Sequence, residues 1–179
     1  YLGPEGTFCE AALRRFDPGA EAVPAVDVTS ALEAVRNGEV EGAMVPIENS
    51  VEGGVNATID SLSRGQELVI VGEVVIPVQF VLAVREGTRL EDIRSIGTHS
   101  HAWAQCRNWV HENLPQAIHV TTASTAAGAA ELASGNAAFD AALCSELSAK
   151  TYGLAELASG VADNQDAVTR FVAVALPSM

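Results

Sequence analysis

The stretch Val45-Pro46-Ile47-Glu48-Asn49-Ser50-Val51-Glu52-Gly53-Gly54 is the most informative part of this sequence. An apolar strand ends there in polar side chains and then reaches a pair of glycines. A later stretch, Thr169-Arg170-Phe171 followed by Val172-Ala173-Val174-Ala175, places polar groups at the start of another apolar strand. Because ligands of open α/β sheets collect at strand ends beside helix N-termini, both stretches are candidate parts of a binding site.

The rest of the sequence alternates apolar strands with helical patterns. Strands are predicted near 22–26, 42–47, 78–84, 95–98, 118–122, 141–144 and 169–176, and helices near 7–16, 29–36, 55–62, 101–111, 124–133 and 145–150. Such alternation is typical of an α/β fold with mainly parallel sheets. The apolar segment 68–84 is interrupted by Glu73 and Pro77, so it predicts consecutive or bent buried strands rather than a membrane span.

Charge and cysteine content narrow the function classes. The formal net charge is −13 and the only lysine is Lys150. Nucleic acids and anionic membranes need basic surface patches, so we expect neither as a partner. The cysteines Cys9, Cys106 and Cys144 are far apart and form no Cys-x-x-Cys pair, which favours the reducing cytoplasm over a disulfide framework.

In combination, the motifs resemble those of prephenate dehydratase, an enzyme family of phenylalanine biosynthesis. The resemblance extends over almost the whole chain and, besides the two stretches above, rests on four further segments in the family's order. These are Tyr1-Leu2-Gly3-Pro4-Glu5-Gly6-Thr7-Phe8, Thr98-His99-Ser100-His101-Ala102-Trp103-Ala104-Gln105-Cys106, Ala123-Ser124-Thr125-Ala126-Ala127, and Tyr152-Gly153-Leu154 with Asp163-Asn164.

Four positions depart from the family's usual residues. Thr98 replaces a serine and keeps the hydroxyl, and Cys9 stands where Ser or Thr is common. Ser100 and His101 stand where the family has Pro and Gln. Any role that depends on that glutamine is therefore open in this sequence.

The resemblance implies a two-lobed architecture. Two similar α/β lobes of mainly parallel sheet flanked by helices, like those of type II periplasmic binding proteins, would enclose the active site in the cleft between them. Lobe one is expected at 1–76 with 166–179, and lobe two at 77–165. Together they would form one prephenate dehydratase catalytic domain without the ACT domain that normally follows, so we expect residues 1–179 to be insensitive to phenylalanine. Family members form dimers or tetramers, and we expect a homodimer.

The reaction implied is the decarboxylative dehydration of prephenate to phenylpyruvate, carbon dioxide and water by a hydro-lyase. No P-loop, Rossmann glycine pattern or zinc-protease motif occurs, so we expect no cofactor and no metal. His99, His101 and Cys106 lack a carboxylate placed beside them to complete a metal site. The histidines fit a hydrogen-bonded strand-to-helix turn more simply.

Three residues are expected to carry the chemistry. Thr169 is the expected donor to the departing hydroxide, because a hydroxyl hydrogen bond strengthens as negative charge develops. Glu48 is the alternative acid if burial raises its pKa. Arg170 is expected to hold the retained pyruvyl carboxylate in a bidentate pair. Phe171 would form part of an apolar wall around the carboxylate that leaves.

The remaining substrate contacts are expected from Asn49, Ser50, Thr98, Gln105 and Thr7. Each of them has a plainer interpretation from the residues alone. Asn49 and Ser50 suit a polar turn, Thr7 and Thr98 suit helix N-caps, and Gln105 suits a solvated helical face.

Two rival functions stay open. One is the dehydration of arogenate, the amino counterpart of prephenate, for which Glu48 or Asp163 would bind the ammonium group. The other is a two-lobed module that binds a small acid without chemistry. Assays with both substrates distinguish the three.

Overall fold

The computed structural model describes residues 1–178. The chain forms two compact units: unit 1 is Tyr1–Pro77 together with the segment that begins at Ala167, and unit 2 is Val78–Asp166. The chain therefore passes from unit 1 to unit 2 after Pro77 and returns after Asp166. The limits predicted from the resemblance differ from these by one residue at each crossing.

Each unit combines helices with one sheet, which confirms the α/β prediction. Unit 1 contains α1 (Phe8–Phe16), α2 (Val28–Arg36), β1 (Gly42–Asn49), β2 (Gly53–Gly54), α3 (Asn56–Leu62), β3 (Val69–Pro77) and β9 (Val168–Ala175). Unit 2 contains β4 (Val81–Val84), a 3-10 turn (Leu90–Asp92), β5 (Ser95–Thr98), α4 (Ser100–Asn113), β6 (Ile118–Thr121), α5 (Thr125–Ser134), β7 (Ala141–Cys144), α6 (Glu146–Thr151) and β8 (Ala155–Ala158).

The prediction of mainly parallel sheets is wrong for unit 1. Its sheet has the order β2-β1-β9-β3, and every neighbouring pair is antiparallel. The helical connection through α3 does make β1 and β3 point the same way. However, β9 returns from unit 2 and inserts between them in the opposite direction. The order of elements along the chain shows which strands are connected. It does not show which strand lies between two others in the sheet, as β9 does here.

Unit 2 mixes both strand directions. Its sheet has the order β6-β5-β7-β4-β8, in which β5 pairs in parallel with β6 and β7. The pairs of β4 with β7 and with β8 are antiparallel. β4, the first strand after the crossing into unit 2, runs against both of its neighbours, as does β9, the first strand after the return to unit 1.

The sheet of unit 1 is buried by helices on both faces. Leu32 of α2 lies in one apolar cluster with Val172 and Val174 of β9. Cys9 of α1 lies in a second cluster with Phe171 of the same strand. Because successive side chains of a strand point to opposite faces, these clusters define an α2 face and an α1 face of the sheet.

Two predicted strands of unit 1 differ from the structure. In place of a strand, the segment 22–26 contributes a single parallel bridge between Ala25 and Leu2. β3 is not buried: it lies at the edge of the sheet, and Ile70 and Val71 are more than half exposed. Apolar composition predicted the strand correctly, but it does not distinguish an edge strand from a central one.

No helix among residues 1–178 combines the length and the apolar character that crossing a bilayer requires. All three cysteines are buried as free thiols. Burial raises the pKa of each thiol to about 12, so none carries thiolate at neutral pH.

Gly97 in β5 is required by close packing in unit 2. A Cβ at this position would lie 2.4 Å from two ring carbons of Phe139, whose side chain is buried. We expect Gly97→Ala to lower the free energy of unfolding by about 1–3 kcal/mol through overpacking. Urea unfolding measures this, with Phe139→Leu and the double variant as controls. A double variant no more stable than the additive sum would contradict the assignment to this contact.

Candidate active site

A β-bulge in β1 determines which side chains meet at the end of the central strand pair. β1 and β9 pair in regular register from Gly42 to Pro46, which lies opposite Phe171. The register then shifts by one residue, so that Glu48 lies opposite Arg170 and Asn49 opposite Thr169. Such a shift turns every following side chain to the other face of the sheet.

The shift brings Asn49 onto the α1 face. Before the bulge, Ala43 and Val45 point into the cluster under α2, and regular alternation would send Asn49 the same way. Thr169 lies two residues before Phe171 on β9, so its side chain points to the same face of the sheet, the α1 face. Only with the extra residue does the carboxamide of Asn49 reach the hydroxyl of Thr169.

Asn49 and Thr169 form an oriented hydrogen-bonded pair. The Asn49 Nδ2 donates to the Thr169 Oγ1 at 2.8 Å. The Asn49 Oδ1 accepts from the backbone N–H groups of Val51 and Glu52 at 2.8 and 3.3 Å. These donors identify the oxygen end of the carboxamide, so the NH2 end is the one that faces Thr169. Thr169 is buried, and no residue among 1–178 accepts its hydroxyl proton.

Ser50 and Gly53 support this pair from the turn that follows β1. The Ser50 N–H donates to the Val168 carbonyl, and the Val168 N–H donates to the Ser50 Oγ, each at 2.9 Å. Gly53 has φ of 85°, a left-handed conformation that lets the chain fold back and pair with Asn49. The role predicted for Ser50 in substrate binding stays a prediction, and its hydroxyl anchors the start of β9.

Arg170 points to the opposite face from Thr169. Its Nη1 lies 3.6 Å from the Glu48 Oε2, and its Nε lies 3.5 Å from the Glu73 Oε1. Glu73 pairs with Val172 across the strands, which places this charged group on the α2 face. The side chains of all three charged residues are about half exposed. Glu48 is therefore not buried, whereas its predicted role as the acid required burial.

Phe171 and Thr7 belong to the surroundings of the α1 face. Phe171 is buried two residues along β9 from Thr169. Thr7 is the N-cap of α1: its hydroxyl accepts from the Glu10 N–H at 3.3 Å and donates to the Leu2 carbonyl at 3.0 Å. Both hydrogen bonds are structural, so the N-cap prediction for Thr7 is confirmed and its substrate contact stays a prediction.

The Glu10 carboxylate holds the loop before α1. It accepts from the Gly6 N–H at 2.8 Å, rather than from the Thr7 N–H that a complete capping box would use. Burial opposes ionisation of Glu10, but bonds from the Gly6 N–H, from Arg14 and from Tyr1 outweigh it and lower the pKa of the carboxyl. Glu10 is therefore charged at neutral pH and ties the loop to the helix.

Thr98 and Gln105 lie in unit 2. Thr98 is completely buried and its hydroxyl donates to the Leu143 carbonyl at 2.7 Å. The N-cap of α4 is His99, whose ring accepts from the His101 N–H, rather than the predicted Thr98. The Gln105 Oε1 is buried without a hydrogen-bond partner among residues 1–178, unlike the solvated face that the helical pattern suggested. The substrate contacts of both residues stay predictions.

Within residues 1–178, no group of three or more His, Cys, Asp or Glu side chains is placed to hold a metal ion. The rings of His99 and His101 meet edge to face at 4.8 Å, and the ring of His119 stacks on Trp103 at 4.7 Å. These contacts give His99 and His101 a packing role in the turn between β5 and α4, and they pack His119 of β6 against Trp103 of α4.

The sequence did not single out the bulge or Glu73. A signal for the bulge was present, because a proline inside an apolar strand is found mainly at edges and bulges, and Pro46 lies directly before the shift. Glu73 had no such signal, since its contact with Arg170 depends on the insertion of β9 beside β3.

Fold and site together define an α/β protein with a neutral hydrogen-bonding centre at the end of a central strand pair. The sequence profile of the family described as Prephenate dehydratase matches residues 1–178. A prephenate dehydratase of Amycolatopsis methanolica is 46% identical over 178 residues, which cover 99% of this chain and 57% of the relative. The chain belongs to the prephenate dehydratase family, and the resemblance drawn from the motifs is confirmed.

Solved structures agree in fold. The prephenate dehydratase of Arthrobacter aurescens in complex with L-Phe has a TM-score of 0.93 and 53% identity, covering 99% of this chain and 59% of that one. GqqA, described as a quorum quenching acylase, has a TM-score of 0.89 and 31% identity, covering 99% and 63%. The chain thus spans about three fifths of the length of the relatives it matches.

The ion pairs of Arg170 are expected to contribute little stability. Pairs between half-exposed charged side chains are worth about 0–1 kcal/mol, because water screens them and ordering the side chains costs entropy. We expect Arg170→Gln to change the free energy of unfolding by no more than about 1 kcal/mol in urea titrations. A larger loss that persists at high salt would show that Arg170 has a structural role beyond these pairs.

Proposed function

We propose that this protein converts prephenate to phenylpyruvate, carbon dioxide and water, as a hydro-lyase of phenylalanine biosynthesis. The observation that carries the proposal is the bond from Asn49 to Thr169. Family membership supports the same reaction, since the matched relatives carry the name prephenate dehydratase. The reaction needs no oxidant or reductant: the ring C–C bond to the carboxylate breaks, its electron pair restores aromaticity, and the ring C–O bond breaks to release hydroxide, which takes up one proton from the solvent and leaves as water.

Thr169 acts as the donor to the departing oxygen. Asn49 donates into the Thr169 oxygen, which polarises the hydroxyl and leaves its proton available to another acceptor. A neutral hydroxyl binds the ground-state substrate hydroxyl weakly and binds developing hydroxide more strongly. The pair therefore stabilises the transition state more than the substrate, which is the requirement for catalysis.

The direction of the Asn49 bond disfavours a nucleophilic role for Thr169. A nucleophilic hydroxyl needs a base that accepts its proton, whereas the Asn49 Nδ2 is a donor whose amide is fixed by Val51 and Glu52. Acyl transfer with Thr169 as the nucleophile, the kind of activity that the description of GqqA suggests for comparison, would require such a base in this chain. This geometry favours dehydration over acyl transfer.

Prephenate is favoured over arogenate because the carboxylates suggested for an ammonium group are already engaged. Glu48 lies beside Arg170 on the α2 face. Asp163 accepts from the backbone N–H groups of Asn108 and Trp109 in α4, at 3.0 and 3.1 Å. Each carboxylate already has partners within its own unit and is therefore a poor candidate to bind an ammonium group.

The activity test compares prephenate and arogenate as substrates for the purified chain, with formation of the aromatic product as the readout. We expect turnover of prephenate to exceed that of arogenate. No product from either substrate, together with saturable binding of prephenate, would replace the proposal with a binding module.

Thr169 variants test the donor role. Removal of one preorganised transition-state donor typically lowers kcat about 10²–10³-fold, and we expect this for Thr169→Ala with a much smaller rise in KM. Thr169→Ser keeps the hydroxyl and should recover much of the activity. Thr151→Ala, an exposed threonine at the end of α6, is the control. Equal, near wild-type rates for Thr169→Ala and Thr169→Ser would exclude the donor role.

The proposal places the enzyme in the cytoplasm as a homodimer. The three buried free thiols support a reducing compartment. The exposed apolar edge formed by Ile70 and Val71 of β3 supports self-association, since an uncovered edge strand is prone to pair with another chain.

Light scattering tests the dimer. We expect twice the monomer mass at micromolar concentrations, and a monomer for Val71→Asp, because a charge on an edge strand opposes pairing. Val26→Asp is the control, since this valine is exposed outside the named strands. A monomer mass for the unmodified chain would exclude the homodimer.

A further inference from the structure

Thr58 lies in α3, outside the strands that carry the candidate site, yet it is completely buried. Its hydroxyl donates to the backbone carbonyl of Pro46 at 2.5 Å. Beside it, the Val55 N–H donates to the carbonyl of Ile47 at 2.9 Å. The start of α3 therefore holds two consecutive carbonyls of β1, at the residues where the register shifts. Of the two bonds, only the one from Thr58 depends on a side chain.

These carbonyls need donors from outside the sheet. On the side of β1 away from β9, the short strand β2 pairs only with Glu48 and Asn49. Pro46 and Ile47 thus have no neighbouring strand on that side among residues 1–178. Pro46 is partly buried, and a carbonyl shielded from water without a donor is costly. Thr58 supplies the donor at the point where the ladder is interrupted.

We propose that Thr58 is a positioning residue: by holding the Pro46 carbonyl it stabilises the bulge that presents Asn49 to Thr169. If β1 relaxed to regular pairing, Asn49 would turn to the α2 face with Ala43 and Val45 and lose its bond to Thr169. The catalytic consequence rests on the proposed dehydratase function, but the geometric part does not.

Three variants separate this role from general stability. Thr58→Val removes the hydroxyl at nearly constant shape, whereas Thr58→Ser retains it. Thr122→Val is the matched control: Thr122 is a buried threonine of unit 2 whose hydroxyl also donates to a backbone carbonyl, that of Ser124, at 2.8 Å. Thr122→Val is thus a comparable loss of one hydroxyl bond to a backbone carbonyl, at a residue outside unit 1.

The first measurement is the NMR signal of the Asn49 side-chain amide, assigned by its disappearance in Asn49→Ala. We expect the wild type, Thr58→Ser and Thr122→Val to share one shifted and exchange-protected pair of signals. Thr58→Val should lose that protection and move the signals toward those of a solvated amide. Unchanged Asn49 signals in folded Thr58→Val overturn the proposal, whatever the activity.

The second measurement is steady-state turnover of prephenate. We expect Thr58→Val to lower kcat about 10–10²-fold with little change in KM, because a displacement of about 1 Å at the reacting groups can cost that much. Thr58→Ser and Thr122→Val should stay close to the wild type. A lost Asn49 signal with unchanged kcat overturns the catalytic part of the proposal.

The two measurements separate this proposal from the proposed function. If the wild type does not turn over prephenate but the Asn49 signals respond as expected, the dehydratase function fails and the positioning role stands. If Thr58→Val does not fold, Thr58→Ala replaces it, because the smaller side chain lets water reach the Pro46 carbonyl. Failure of both variants to fold, with Thr58→Ser folded, overturns a positioning role in favour of a purely structural one.

Discussion

The candidate site depends on one constraint, the extra residue in β1 between Pro46 and Glu48. The buried part of β1 ends before the extra residue, so the side chains in the core of unit 1 alternate regularly between the two faces of the sheet. Beyond it, the side chains at the more exposed end of the strand point to the opposite faces. A bulge is well suited to this task, because it redirects a few side chains without disturbing the packed strands behind them. The carbonyls at the shift are held by α3, so helix and strand together maintain the geometry.

The electrostatics of the site follow from the same arrangement. The protein is strongly acidic, and Arg170, the cation of the motif itself, lies between two carboxylates on the face opposite Thr169. The centre on the α1 face therefore acts through neutral dipoles. For the release of hydroxide this has a physical advantage: an oriented neutral donor interacts weakly with an uncharged substrate hydroxyl and strongly with the charge that develops as it leaves. A guanidinium in the same place would also bind the ground state strongly.

Much of the fold could be predicted from local patterns. The N-caps Thr7 and Ser124 and the helix-terminating Gly135 follow from short-range chemistry that sequence displays directly. Strand direction and edge position could not be predicted in this way, because they depend on where β9 and β4 insert after each crossing. Thr98 illustrates the same difficulty in the candidate site: its hydroxyl looked available at a strand end, but the neighbouring strand β7 supplies a carbonyl that it binds.

By itself, the sequence determined the family, the α/β alternation and the identity of the polar residues at the two strand ends. It also determined that Asn49 and Thr169 are uncharged donors and acceptors rather than acids. Only the tertiary structure decided that they meet, across 120 residues of chain, and that Arg170 faces away from them. The physical reason is that side-chain direction in a strand has a period of two, so a one-residue shift reverses it, and the pairing that reveals the shift exists only in the folded sheet.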